Sequence, residues 1–263
     1  MIRALYSAAS GLNAQQLNVD NIAHNLANAS TIGFKQRRPQ FQDLLYQSLI
    51  QPGAAAGAQT TIPSGLQLGL GTKAVANGIV FTQGNFQSTN NPLDLVIEGR
   101  GFFQVRRATG ELAYSRAGNF QLDRDGALVT ADGEFLEPQI TIPPQAQSVT
   151  VAQDGTVSYT LPAQTAALQA GQILLANFTN PAGLNSLGRN LFAPTNASGD
   201  PTVGIPGGQD GIGSLQQGFL EGSNVSVVEE FVNLISSQRA YEANTKVVKA
   251  ADEMYQQVNN LTR

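Results

Sequence analysis

The side chains able to do chemistry are few and badly spaced for it. His24 is the only histidine and the chain has no cysteine. A His-based triad, a multi-His metal site, a thiolate nucleophile and a sulfur-ligated metal are therefore beyond one copy of this chain. His24 reads instead as a polar position near a helix end. Asp123-Arg-Asp-Gly126 has the opening of a calcium loop, but Ala127 takes the third ligand position, and a hairpin turn fits the run better. Gly65–Lys73 is glycine-rich without the Gly-Lys-Ser/Thr that closes a phosphate-cradling loop. Asp94, Glu98, Asp123 and Glu134 could be paired into an acid–base site, yet nothing in their spacing does so. Lys35, Arg37 and Arg38 read as cations at a helix C-terminus. A formal charge of −4 gives no global case for binding nucleic acid or anionic lipid. The expectation is no enzyme, no cofactor, no metal, no nucleic acid and no membrane insertion.

The helices that carry these residues point elsewhere. Charged residues are 13% of the chain, against about 25% in an average soluble domain. Across residues 1–34 only Arg3 and Asp20 are charged side chains near neutral pH, while Leu5, Leu12, Val19 and Leu26 recur every seventh residue. That is the seam spacing of a coiled coil. Ile2, Ala9 and Ala23 are its companion positions, with Gln16 interrupting. In place of a charged wet face the segment offers Asn13, Gln15, Asn18, Asn21, Asn25 and Asn28, neutral amides that can pair inside protein without burying a charge. Asn28-Ala-Ser-Thr-Ile-Gly33 is the stop signal. A second helix, about Val225–Leu261, puts Val227, Leu234, Tyr241, Val248 and Tyr255 on one seven-residue line and starts on the capping box Ser226-x-x-Glu229. Both helices are expected to be marginal alone and to become ordered among other copies.

Between the helices the pattern changes. Phe41–Ile50 reads as short helix or strand, and Gln51–Gly71 as an extended, uncharged excursion rather than a folded unit. From Leu93 onward, apolar runs such as Leu93–Ile97 and Phe102–Val105 alternate with the turn dipeptides Asp125-Gly126, Asp132-Gly133 and Asp154-Gly155. The predicted class is α+β: N- and C-terminal helices paired as a coiled coil, extended arms, and a central all-β domain. The boundaries are 1–34 with 221–263 for the helical core, 35–92 for the arm and connector, and 93–220 for the β-domain with its return connector. No run approaches the roughly 20 apolar residues of a membrane span, and the N-terminus lacks the pattern of a cleaved secretory signal.

Several stretches resemble the rod and hook axial proteins of the bacterial flagellum. Ala9-Ser-Gly-Leu12, Asn25-Leu-Ala-Asn28 and Thr31-Ile-Gly-Phe-Lys35 are similar to that family's N-terminal signature, making Asn25, Asn28, Thr31, Gly33, Phe34 and Lys35 motif residues. Ser223-Asn-Val225, Glu229-Glu-Phe-Val-Asn233 and Gln238-Arg-Ala-Tyr-Glu-Ala-Asn244 resemble its C-terminal partner. Ile97-Glu-Gly-Arg-Gly-Phe-Phe103, Tyr114-Ser-Arg-Ala-Gly-Asn-Phe120 and Asn190-Leu-Phe192 look like its shared β-domain. Phe41-Gln-Asp-Leu-Leu-Tyr46, Gln51-Pro-Gly53, Thr60-Thr-Ile-Pro-Ser-Gly-Leu66 and Leu70-Gly-Thr72 look like the arm of its distal-rod members, with Tyr46, Pro52, Gly53, Pro63, Gly65 and Leu66 as inter-subunit residues.

The resemblance implies a structural subunit exported through the flagellar apparatus without a cleaved signal. It implies polymerisation with itself into a rigid hollow shaft, the distal rod, crossing the periplasm to the outer membrane. Proximal-rod proteins, the hook protein and the ring bushings are the implied neighbours. A proximal-rod or hook-like axial protein is the alternative within the family, and a cell-wall hydrolase or a trimeric surface adhesin the alternative outside it. Leu12→Asp sets a charge on the apolar line among uncharged neighbours, where desolvation is costly. The expected outcome is exported subunits that do not polymerise, checked by electron microscopy of basal bodies.

Overall fold

The computed structural model describes residues 2–53, 63–162, 166–208 and 211–261. The chain forms two compact units, one of Met1–Ala27, Arg37–Gly78 and Ser226–Arg263, the other of Asn28–Gln36 and Ile79–Val225.

The first unit holds both helices. Helix α1 is Ile2–Ala27, and α2 is Val227–Leu261, about 50 Å long at 1.5 Å per residue. Ser226 caps α2: its Oγ accepts the Glu229 N–H at 3.5 Å, and its carbonyl accepts the Glu230 N–H at 3.0 Å. Glu229 and Glu230 in the first turn complement the positive end of the helix dipole. The helices pack against each other. The excursion is more ordered than its composition suggests. Tyr46–Ile50 and Leu66–Gly69 pair as an antiparallel ribbon, Tyr46 opposite Gly69 and Ile50 opposite Leu66, with a bulge between Ser48 and Ile50. Arg37–Asp43 pairs with Thr72–Ile79. No hydrophobic period marked these strands because both faces of the ribbon are exposed. The Thr60–Ile62 part of the arm motif lies outside the described residues.

The second unit is β-rich. Its main sheet has nine strands among the described residues. It runs from Asn185–Gly188 through Leu191–Ala193, Leu112–Ser115, Phe102–Arg106, Phe135–Glu137 and Leu128–Val129 to Gln121–Leu122, with Leu175–Asn177 and Thr202–Gly204 branching off Phe102–Arg106. The Asp-Gly dipeptides do what their φ > 0 preference predicts. Gly126 (φ +80°), Gly133 (φ +81°) and Gly155 (φ +82°) turn the hairpins Gln121–Leu122/Leu128–Val129, Leu128–Val129/Phe135–Glu137 and Ser148–Val151/Thr156–Thr160. Strands Leu95–Glu98 and Ser214–Gln217 pair as the chain enters and leaves. One core gathers Leu95, Ile97, Phe103, Phe120, Leu136, Ile142, Leu175 and Leu215, with Phe103 and Phe120 edge to face at 5.0 Å. A second packs Phe102, Tyr114, Phe178 and Phe192.

The segment after α1 belongs to this unit. Thr31 bonds back to Asn28 through both backbone and side chain, each at 3.1 Å, and Gly33 follows in the left-handed region at φ +68°. A Cβ on Gly33 would meet the Ala117 backbone nitrogen at 2.7 Å. Gly33→Ala therefore combines left-handed strain with a backbone clash. It is expected to lower stability by about 1–3 kcal/mol, checked by urea unfolding of the full-length protein.

Candidate assembly site

The most constrained polar group in the β-rich unit is Glu221, whose side chain is fully buried. Its Oε1 receives the Lys35 ammonium at 2.6 Å and the Gly84 N–H at 3.0 Å. Its Oε2 faces Arg116 Nε at 3.0 Å, and its backbone carbonyl accepts the Gly33 N–H at 2.8 Å. Lys35 donates a further bond to the Thr82 carbonyl at 2.7 Å. Arg116 spends its two Nη groups on the carbonyls of Gly101 and Gly99, both at 2.7 Å. Burial pushes the Lys35 ammonium below its ordinary pKa, with Glu221 opposing and Arg116 reinforcing that fall. Burial also lowers Arg116, again opposed by Glu221. One carboxylate thus fastens four stretches of chain: 33–35 leaving α1, 82–84, 99–116 in the sheet, and its own strand leading to α2. Lys35 was expected to neutralise a helix end. It lies eight residues past Ala27, and a buried carboxylate satisfies it instead.

Two asparagines do similar work with their amides. In the helical unit, Asn25 pairs with Arg37 as a strand would. Its Nδ2 donates to the Arg37 carbonyl and its Oδ1 accepts the Arg37 N–H, both at 2.9 Å. Its second N–H donates to Glu230 Oε1 at 3.1 Å, so α1, α2 and the first strand meet at one side chain. In the β-rich unit, Asn224 accepts the Gln36 N–H at 2.7 Å and donates to the Val80 carbonyl at 2.8 Å.

The helix pairing departs from the apolar line. Leu5, Leu12, Val19 and Leu26 are only half-buried, and Ala9 and Ala23 are exposed. The polar contacts of α1 with α2 come from residues one position back, while Val19 and Tyr241 line a recess beside them. Asn18 donates to Ser237 at 2.8 Å, Asn25 to Glu230, and a Cβ on Gly11 would lie 2.9 Å from Asn244 Nδ2. On α2, Leu234, Val248 and Tyr255 are half-buried while Val227 and Tyr241 are exposed; Glu230, Ser237 and Ala251 are the buried positions. Other residues of α1 hold the arm: Asn77 donates to Asn21 Oδ1 at 2.7 Å, and the Thr72 N–H to Ser10 Oγ at 3.2 Å.

Large apolar side chains stay in solvent. Val228 is 74% exposed, Val232 61% and Leu45 85%; Tyr46, Leu49 and Leu66 in the arm are about half exposed. Asp43 beside its hydroxyl raises the Tyr46 pKa. Pro52, Gly53 and Pro63 are exposed, and Gly65 sits so close over Pro52 and the Ile50 carbonyl that no Cβ fits. Of the other motif residues, Asn28, Thr31 and Phe34 are half-buried. Among the described residues no group of three or more His, Asp or Glu is placed to hold a metal ion, and no helix is long and apolar enough to cross a membrane.

Comparison with known proteins agrees along the whole chain. Family models match residues 5–35 (flagella basal body rod protein), 96–159 (flagellar hook protein FlgE/F/G D1 domain) and 216–261 (flagellar basal body rod FlgEFG protein, C-terminal). The flagellar basal-body rod protein FlgG of Buchnera aphidicola from Schizaphis graminum is 47% identical over 261 residues, 99% of this chain and all of the relative. The chain belongs to the FlgG family of flagellar basal-body rod proteins. FlgG of Borreliella burgdorferi is 45% identical with both chains covered in full, and that of Bacillus subtilis 39%, again end to end. Like these relatives, the chain is a structural rod component and not an enzyme.

Reading the sequence missed Glu221, Arg116 as its partner, and Glu230. No local signal marks them: Glu221 is the last residue of the short strand Phe219–Glu221, and Arg116 directly follows the strand Leu112–Ser115. Removing the shared carboxylate leaves two buried cations facing each other. Glu221→Gln is expected to cost about 3–5 kcal/mol. Lys35→Met removes one cation and leaves Arg116 on the carboxylate, so it should cost less. Urea unfolding of the two variants side by side checks the order.

Proposed function

We propose that this chain polymerises with itself into the distal segment of the flagellar rod, a rigid hollow shaft that passes torque from motor to hook. The observation that carries the reading is the apolar surface one copy leaves uncovered: Val227, Val228, Phe231, Val232 and Ile235 along the start of α2, and Leu45, Tyr46, Leu49, Ile50 and Leu66 along the arm. Exposed apolar area on this scale marks a protein–protein surface. Kinship with rod proteins makes further copies the occupant, joined head to tail without closing.

In this reading the helical core is 1–34 with 221–263. Its two helices run together as a coiled coil in the inner tube, with Leu5, Leu12, Val19, Leu26, Val227, Leu234, Tyr241, Val248 and Tyr255 at contacts within and between copies. The β-domain, 93–220, forms the outer wall. The arm and connector, 35–92, bridge adjacent copies through Tyr46, Pro52, Gly53, Pro63, Gly65 and Leu66 and stiffen the shaft. Proximal-rod proteins lie below it, the hook protein above, and ring bushings around it. The subunit reaches the periplasm through the flagellar export apparatus.

Val228→Asp and Val232→Asp test this without disturbing the single copy, because both side chains are already in water. Each carboxylate must be desolvated only when a second copy arrives. The expected result is normal export and unfolding behaviour with no rod beyond its proximal segment, seen in isolated basal bodies. Full-length rods from the double variant would overturn the assignment of this face.

A further inference from the structure

The contacts between α1 and α2 follow a pattern their apolar lines do not predict. Gly11 meets Asn244, Asn18 meets Ser237, and Asn25 meets Glu230. Each step of seven along α1 is answered by a step of seven back along α2, so one antiparallel register satisfies all three. The facing residues are small or polar, and Asn25, Ser237 and Glu230 are almost wholly buried. Meanwhile Val228, Val232 and Ile235, on the same helix, stand in solvent. The apolar residues the two helices do bury are Ala8, Ala14, Ile22 and Ala251, three of them alanines, where an ordinary helix pair buries a stripe of large apolar side chains.

We infer that the layers Gly11/Asn244, Asn18/Ser237 and Asn25/Glu230 are the register code of the helix pair, aligning α1 with α2 by polar fit so that the apolar lines remain available to a second copy. The second half of this statement rests on the assembly reading above; the first half does not. The physics is that of matching unlike layers. Leucine layers are interchangeable, so an apolar seam tolerates a slip of one heptad. Here a slip in one direction sets Asn25 against Ser237, Asn18 against Asn244 and Gly11 against Ala251, and takes the Asn25 amide away from the buried Glu230 carboxylate. A slip in the other direction sets Asn18 against Glu230 and Gly11 against Ser237. Asn25 then leaves the layer while still being held by Arg37. The first slip takes the Asn25 amide from Glu230 and the second sets Gly11 in place of the Asn18 amide opposite buried Ser237, and each loss of a buried hydrogen bond is penalised. A buried polar residue at a seam position is known to fix register at a cost in stability. That cost suits a pair meant to become ordered only in company.

Cross-linking reads the register directly, since the chain has no cysteine of its own. Gln16 and Gln238 line one recess between the helices, and both are exposed. Gln16→Cys with Gln238→Cys reports the native register, while Gln16→Cys with Phe231→Cys or with Thr245→Cys reports a slip of one heptad either way. The reagent is a bis-maleimide shorter than the heptad rise of roughly 10 Å. It is applied to concentrated full-length protein, and products are mapped by mass spectrometry in the monomer band.

The parent should give the native product with slipped products at background. Replacing Asn18, Asn25, Glu230 and Ser237 together by Leu should raise the slipped products to yields comparable with the native one. The reversed layer, Asn18→Ser with Ser237→Asn, keeps a hydroxyl facing an amide and should restore the parent pattern. The inference is overturned by native product alone from the all-leucine variant, by slipped product from the reversed layer, or by no native product from the parent. A parent that gives native product but never forms rods supports the register code and removes only the assembly half.

Discussion

The β-rich unit depends on a carboxylate that two cations share away from water. Glu221 could not be buried alone, because desolvating an isolated charge costs far more than a hydrogen bond returns. Lys35 and Arg116 make its burial possible, and the carbonyls of Thr82, Gly99 and Gly101 accept further bonds from the cations. The cluster is demanding because it is mutual: each charge is tolerable only while the others stay in place. It sits where residues 28–36, just after α1, and residue 221, just before α2, meet the same sheet.

The helical unit solves the opposite problem. Its chain is poor in charge, and its amides do the pairing. Asn18, Asn21 and Asn25 reach Ser237, Asn77 and Arg37 with Glu230 respectively. Neutral amides can be buried against partners without the penalty of an ion. The consequence is that apolar side chains are left over. In a monomeric protein that would be a liability. Kinship with FlgG chains over nearly the full length places the protein among flagellar basal-body rod proteins, and in the assembly proposed above this surface is what a second copy covers.

The legible parts were those in which one residue type has one physical use. Asp-Gly dipeptides turn hairpins because glycine takes φ > 0 without strain, and all three did so at 126, 133 and 155. The seven-residue repeats announced two long helices, and Asn28–Gly33 announced where the first would stop. The arm was harder: Tyr46–Ile50 and Leu66–Gly69 pair with both faces in water, so no alternation betrays them. The ionic cluster was illegible because its members are 35, 116 and 221, and only the folded sheet brings such separations together.

The chain's order of helix, arm, β-rich body and helix, its lack of cysteine and its family kinship are written in local residue types, since period, turn chemistry and composition act over a few residues at a time. Which line of each helix faces the other was decided by the tertiary structure. A leucine line and the amide line one residue behind it repeat with the same period, and periodicity measures spacing, not direction. Only packing chooses between them: on α1 it set Asn18 and Asn25 against Ser237 and Glu230, where each finds a specific partner, and left Leu5, Leu12, Val19 and Leu26 half-buried.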